Sequence, residues 1–206
     1  MTDELATARA DLAFLRTLAE GDPRPSAGGG LLLMAAGLLY GLEALIHWVG
    51  ISGLVDLPTW THLAAAIGGT GGFLVALIIV LWRDRDQPTG TTMRKAYETA
   101  FQAAGLANLA MVFVFGFNAF KTQDFSLWLY YVPVVFALQG AAWFVASRVQ
   151  KRLWYGAVAI GWYLAAAALG LTMDEPALFN LVTSVSLLGL MALPGFVLWR
   201  LARAAD

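Results

Sequence analysis

Two long apolar runs within residues 28–83 constrain this chain more than any other feature. Each run contains roughly 20 residues, and a helix of that length, at 1.5 Å per residue, crosses about 30 Å of hydrocarbon. A short loop that contains Asp56 and Pro58 joins the two runs. The segment predicts a transmembrane hairpin, because a helix satisfies its own backbone hydrogen bonds in lipid.

Four further apolar runs follow this hairpin. Charged residues make up 13% of the 206-residue chain, whereas they make up about a quarter of an average soluble domain. The predicted crossings are residues 29–50, 59–82, 96–118, 126–147, 153–172 and 178–199. The sequence therefore predicts an all-α polytopic membrane protein, with six transmembrane helices in three hairpins, over residues 26–206.

The N-terminal residues 1–25 have a different composition and form a separate predicted unit. Within them, residues 3–20 place apolar side chains on one helical face: Leu5, Ala8, Leu12, Leu15 and Ala19. Gly21 and two prolines then end the predicted amphipathic helix. This helix either lies at the membrane interface or docks a cytoplasmic protein partner, and both interpretations stay open.

The basic residues predict how the chain is oriented in the membrane. Twelve of the 13 Lys and Arg residues fall on one side of the predicted crossings: Arg9, Arg16, Arg24, Arg83, Arg85, Arg94, Lys95, Arg148, Lys151, Arg152, Arg200 and Arg203. Lys121 is the only basic residue in the opposite loops. By the positive-inside rule we expect both termini in the cytoplasm, in a bacterial-type inner (plasma) membrane. The net charge of −1 gives no reason to expect a nucleic-acid partner.

Ionisable residues that could exchange protons or bind a ligand are concentrated in the first hairpin. Tyr40, Glu43 and His47 lie at i, i+3 and i+7 and so share one face of the first helix, with Glu43 about 12 Å from the outer end. His62, four residues after Pro58, is expected at the depth of His47. A carboxylate inside a membrane helix costs about 2.5–3.5 kcal/mol even on the lenient insertion scale, so Glu43 should face protein or water.

Four interpretations of these residues stay open. The first is a buried polar clamp that fixes the first helix. The second is a proton-coupled or polar-solute pathway, in which Glu43, His47, His62 and Tyr40 respond to protons. The third is a metal site of two imidazoles and a carboxylate. The fourth is a bis-histidine haem between the first two helices, although no local motif indicates one, and the sequence identifies no cofactor.

Small residues on the second run predict close helix packing. Ala64, Gly68, Gly72 and Ala76 recur at intervals of four, which lets backbones approach within the chain or between two copies in a homo-oligomer. An alternative is that the glycine-rich stretch 68–72 unwinds in the membrane and offers carbonyl groups to an ion.

The later helices contain fewer polar residues. Those expected to form interhelical hydrogen bonds are Gln102, Asn108, Asn118 and Gln139. Pro133 and Pro194 are expected to kink the fourth and sixth helices. Ser184 and Ser186 are the candidate nucleophiles of a membrane hydrolase with His62 as base, but no spacing links them, so an enzyme is the less favoured class.

The leading function hypothesis is a small inner-membrane transporter or proton-linked conduit for a small solute or ion, with the Glu/His cluster as its site. One alternative is a regulatory or scaffold protein that holds a cytoplasmic partner through the N-terminal helix. Another is a haem- or metal-binding membrane protein. The lipid bilayer is the one partner that the composition itself requires.

Overall fold

The computed structural model describes residues 26–85 and 92–204. The predicted amphipathic helix of residues 1–25, and with it the docking hypothesis, lies outside the described residues.

The described part of the chain is helical and contains no strand. Its α-helices are α1 (Ala27–Ile51), α2 (Thr59–Asp84), α3 (Thr92–Thr122), α4 (Tyr131–Gln150), α5 (Leu153–Leu171), α6 (Pro176–Leu187) and α7 (Leu193–Arg203). A 3₁₀ helix (Phe125–Tyr130) precedes α4, and a π-helical turn (Leu188–Ala192) joins α6 to α7. Six stretches are long and apolar enough to cross a membrane, with α6, the π turn and α7 forming the sixth. The protein is therefore an integral membrane protein.

Local sequence features explain where several helices begin and end. Ser26 caps α1, because its hydroxyl accepts a hydrogen bond from the Gly29 amide at 3.1 Å. Asp124 accepts from the Ser126 amide at 3.0 Å and so starts the 3₁₀ helix. Pro176 occupies the first turn of α6, where its missing N–H costs nothing. Lys151, in the left-handed conformation, ends α4.

Helix α1 is the central element of the packing. It contacts α2 on one side and α6, the π turn and α7 on another. Contacts then continue from α6 to α5, from α5 to α4 and from α4 to α3. Among the described residues, α2 packs extensively only on α1, and α3 only on α4 and the short 3₁₀ helix before it. The second and third helices thus lie at the two ends of the packing order and expose most of their surface.

Glycines bring α1 into direct backbone contact with the sixth crossing. A Cβ atom on Gly37 would overlap the backbone of Ala192, and one on Gly30 would lie 2.6 Å from the Trp199 amide nitrogen. Buried Ser184 adds a polar link, because its hydroxyl donates to the Gly41 carbonyl at 2.9 Å. Close approach of this kind is the main way membrane helices gain packing energy, since the surrounding lipid is as apolar as the side chains.

The apolar core lies between α4, α5 and α6. Trp143 and Trp162 are fully buried in it, and Phe136 packs edge-on against Trp162 at a ring distance of 4.8 Å. Helix α3 joins this core through Phe101, which packs edge-on against Trp143 at 5.3 Å. Leu33 and Tyr40 of α1 also pack against this core, so the core borders the α1–α2 hairpin.

The small residues of α2 face differently from the prediction. Buried Gly69 and half-buried Gly72 face α1. Gly68 is exposed, with nothing within 4 Å of a Cβ added there, and Ala64 is exposed as well. The prediction named Gly68, but the neighbouring Gly69 is the glycine that faces α1. Two adjacent glycines fit a periodic pattern almost equally well, so the sequence does not distinguish them. The alternative of an unwound segment is wrong, since α2 is α-helical from Thr59 to Asp84.

Pro133 and Pro194 both lie in the first turn of an α-helix, and neither lies in the middle of one, where a proline would kink it. Pro133 lies in the first turn of α4, directly after the 3₁₀ helix, where a proline ring is tolerated. Pro194 lies at the start of α7, just after the π turn. Since a proline ring clashes with the carbonyl four residues earlier, here that of Leu190, the wider π turn accommodates it.

Replacing Gly37 by Ala should destabilise the fold, because the new methyl group would press on the Ala192 backbone. We expect a loss of about 1–3 kcal/mol in the free energy of unfolding, as for other overpacked sites. Gly68→Ala is the matched control, with the same change in helix propensity in open space. Thermal unfolding in mild detergent should lower the midpoint for Gly37→Ala only; equal midpoints in the two variants would contradict the described interface.

Candidate functional site

The α1–α2 hairpin brings the two histidines of the chain together. His47 lies one turn before the end of α1, and His62 is the fourth residue of α2. The intervening loop, residues 52–58, is short, so the end of α1 and the beginning of α2 lie at the same level of the bundle. Pro58 precedes the first residue of α2 and fixes where that helix starts.

The imidazoles of His47 and His62, here called the His pair, contact each other directly. Their Nδ1 atoms are 2.8 Å apart, and the rings stack at a centroid distance of 5.0 Å and an angle of 11°. A hydrogen bond between two Nδ1 atoms requires a donor and an acceptor, so one ring carries the proton there and the other does not. Gly50 makes room for this arrangement, because a Cβ at that position would lie 2.6 Å from His62 Cε1.

Glu43 lies one turn deeper on α1, next to His47. Its Oε1 is 3.9 Å from His47 Nε2, which is an ion-pair distance and longer than a hydrogen bond. Its Oε2 is buried and has no hydrogen-bond partner among the described residues. That oxygen packs against Gly69 of α2, where a Cβ would overlap it. The absence of a side chain at Gly69 therefore creates the space that the carboxylate occupies.

Tyr40 continues the polar groups toward the middle of the bundle. Its ring lies 5.7 Å from that of Phe73 on α2. Tyr40 also lies close enough to Tyr131 of α4 to interact with it electrostatically. Tyr131 in turn donates to Asn108 Oδ1 of α3 at 2.6 Å. Polar side chains thus follow one another from the beginning of α2 across α1 to α4 and α3.

The other predicted interhelical hydrogen bonds have mixed outcomes. The prediction is confirmed for Asn108. Asn118 instead donates to the Val114 carbonyl of its own helix at 2.7 Å. Gln102 is exposed, and Gln139 Oε1 is buried without a hydrogen-bond partner among the described residues. The sequence interpretation missed Tyr131, whose position at the beginning of the fourth crossing resembles an ordinary interfacial tyrosine.

A second group of buried polar atoms lies in the α4–α5 core. The indole N–H groups of Trp143 and Trp162 and the side-chain amide of Gln150 have no hydrogen-bond partner among the described residues. On α4, Gln139, Trp143 and Gln150 lie at i, i+4 and i+11, which places them on one stripe. That spacing is visible in the sequence and could have indicated a polar stripe within the core.

The serine residues do not form a nucleophile–base pair with His62. Ser184 is 1% exposed, and its hydroxyl is used in the contact with the Gly41 carbonyl. Ser186 is also buried. Since neither hydroxyl is linked to an imidazole by a hydrogen bond, the geometry offers no activated serine.

The geometry also bears on the metal and haem interpretations. Within residues 26–85 and 92–204 no three His, Asp or Glu side chains are grouped so that they could hold a metal ion. The axial histidines of a haem place their nitrogens about 4 Å apart across an iron, at the usual metal–imidazole distance of about 2 Å. The Nδ1 atoms of the His pair, at 2.8 Å, contact each other directly, so an iron would not lie between these two nitrogens.

Comparisons with known proteins give no family for this chain. No protein-family model, no curated protein and no solved structure matches it. The functional argument therefore depends on the geometry of the site itself.

Cysteine cross-linking can test the convergence of α1 and α2, because the chain has no cysteine of its own. We expect the His47→Cys/His62→Cys double variant to form an intramolecular disulfide under mild oxidation. His47→Cys/Leu63→Cys is the matched control, since Leu63 is 62% exposed on a different face of α2. Mass spectrometry of the monomer should find no free thiols in the first variant and two in the second. Two free thiols in both would contradict the described hairpin.

Proposed function

We propose that this chain is a small membrane transporter or proton-linked conduit for a small solute or ion. In this proposal Glu43, His47 and His62 exchange protons, and Tyr40 extends the path toward the middle of the bundle. The observation that carries the proposal is that the two ring nitrogens of His47 face different partners. Nδ1 contacts His62, and Nε2 faces the carboxylate of Glu43.

A proton can pass along these three side chains in a defined order. An imidazole can take up a proton at one nitrogen and release another from the opposite nitrogen. In this order, His62 takes up a proton at Nε2 and donates its Nδ1 proton to His47 Nδ1. His47 then releases its Nε2 proton toward Glu43, after a shift of less than 1 Å closes the 3.9 Å gap to hydrogen-bond distance.

Glu43 is suited to be the acceptor at the inner end of this sequence. One carboxylate oxygen faces His47, and the other is buried against Gly69 without a hydrogen bond. A carboxylate oxygen that accepts no hydrogen bond from the described residues is available to accept a proton. The same carboxyl group can therefore take up a proton and release it again, which a carboxylate held in a full hydrogen-bond network does less readily.

The sequence supports a direction and a location for this path. The concentration of basic residues at the opposite end of the helices favours cytoplasmic termini in a bacterial-type inner membrane. The His pair then lies on the outer side, where it would collect protons. The lipid bilayer surrounds the membrane-spanning helices. The partners in the proposal are the solute, a second copy of the chain and a cytoplasmic protein bound by the N-terminal helix.

Replacing Glu43 by Gln should remove proton flux while keeping the size of the side chain. In proteoliposomes with an internal pH dye and an imposed membrane potential, we expect the flux to fall by at least about tenfold and to lose its pH dependence, since a positioned proton-transfer group typically contributes more than that. Asp56→Asn is the matched control, because it removes one carboxylate from the exposed loop. A flux equal to that of the unchanged protein at every pH would defeat the proposal.

Replacing Gly69 by Ala tests whether the position of the Glu43 carboxylate matters. The new methyl group would displace the buried oxygen, and we expect the proton flux to fall by about tenfold, as for other displaced proton-transfer groups. Gly71→Ala is the control, because nothing lies within 4 Å of the added atom. If both variants kept full flux, Glu43 would act as a structural clamp and not as a proton acceptor.

A further inference from the structure

One end of the bundle carries nearly all of its described basic side chains. The end of α2 and the start of α1 meet there, because Asp84 packs against Gly28. The end of α7 lies at the same level, since the Trp199 backbone packs against Gly30. We call this the arginine-rich end, and its arginines are Arg83, Arg85, Arg148, Arg152, Arg200 and Arg203. It is opposite the end that holds the His pair.

A surface cavity of about 360 Å³ lies at the arginine-rich end, on the last turns of α2. Its walls are Ile79, Trp82, Arg83 and Arg85. The two apolar walls are open to the surroundings, with Trp82 71% and Ile79 55% exposed. In a membrane protein, an exposed tryptophan at a helix end lies at the level of the lipid headgroups. The cavity therefore joins an apolar surface at acyl-chain depth to two guanidinium groups at headgroup depth.

The two arginines are arranged to bind an anion. The Arg85 guanidinium lies over the Trp82 ring, 5.6 Å from its centroid, which holds it beside the apolar wall. Arg83 contacts Asp84 through Nε, at 3.5 Å, so its two terminal amino groups are not used in that contact. The Asp84 carboxylate itself packs against Gly28 at the start of α1, on the side of α2 that faces its neighbour. Guanidinium groups bind phosphate oxygens through paired hydrogen bonds.

We propose that this cavity binds the phosphate headgroup of an anionic glycerophospholipid of the surrounding bilayer. Arg83 and Arg85 bind the phosphate, and the first acyl-chain carbons lie along Ile79 and Trp82. The charge of the two arginines and the apolar walls together favour a lipid over a free phosphate ion, which would use only the polar part. This site goes beyond the proposed proton path, since it lies at the other end of the bundle.

The lipid also has a structural reason to bind at α2. Among the described residues this helix packs extensively only on α1, and most of its surface is exposed. A lipid held at its end would fix the position of α2 relative to the membrane surface. Electrostatic attraction of basic side chains to anionic lipid alone would not select α2, because the other arginines of this end lie at the same level.

The experiment uses the full chain purified in a neutral detergent. Native mass spectrometry measures the retention of added phosphatidylglycerol, with phosphatidylcholine as the zwitterionic comparison. We expect the unchanged protein to retain one phosphatidylglycerol in preference to phosphatidylcholine. The variant R83Q/R85Q should bind phosphatidylglycerol about tenfold more weakly. R200Q/R203Q is the matched control, because it removes two other arginines of the same end, and both of these stack on aromatic rings. It should change the binding of phosphatidylglycerol by less than about twofold.

Three results would overturn the proposal. The first is equal retention of the two lipids by the unchanged protein. The second is an equal loss in both double variants, which would indicate diffuse attraction. The third is displacement of the lipid by millimolar inorganic phosphate, which would assign the site to the free ion.

A second variant tests the site if R83Q/R85Q does not fold. Trp82→Ala then replaces it, with Leu81→Ala as control, because Leu81 is 61% exposed and does not line the cavity. None of these measurements depends on proton flux.

Discussion

The contact between α1 and the sixth crossing is the interaction on which the rest of the structure depends. Helix α1 contacts the sixth crossing through its backbone at Gly30 and Gly37, and its Leu33 and Tyr40 side chains pack against the apolar core. Lipid supplies no hydrophobic driving force between helices, so such contacts rely on van der Waals packing and on hydrogen bonds such as that from Ser184 to Gly41. With α1 held in this way, the face opposite the contact is free to carry polar groups.

The parts of the fold that depend on single helices could be predicted from the sequence, and those that depend on pairs of helices could not. Length and hydropathy are properties of one segment, so six apolar helices are predicted and observed. The shared face of Glu43 and His47 follows from helical spacing alone. Which of Gly68 and Gly69 faces α1 depends on how α2 rotates against its partner, and the approach of Tyr131 to Tyr40 depends on a third helix. No periodicity contains that information.

The two ends of the bundle carry different ionisable side chains, which fits a membrane protein with one fixed orientation in the bilayer. One end carries the only two histidines of the chain, in contact with each other, and the other carries arginines that stack on aromatic rings. Arginine stays charged under all physiological conditions, whereas an imidazole exchanges its proton near neutral pH. In the two proposals, the fixed charges therefore serve to anchor the lipid and the exchangeable ones to transfer protons.

Glycines shape the site as much as the polar side chains do. The imidazole of His62 occupies the space beside Gly50, and the carboxylate of Glu43 occupies the space beside Gly69. In each case a polar group from one helix rests on the bare backbone of the other. This arrangement keeps the two helices close and still leaves room for ionisable side chains between them. A larger residue at either position would separate the His pair from Glu43 or push the carboxylate toward lipid, where its charge is costly. The same close approach that stabilises the hairpin therefore also holds in sequence the groups to which the proposed function assigns proton exchange.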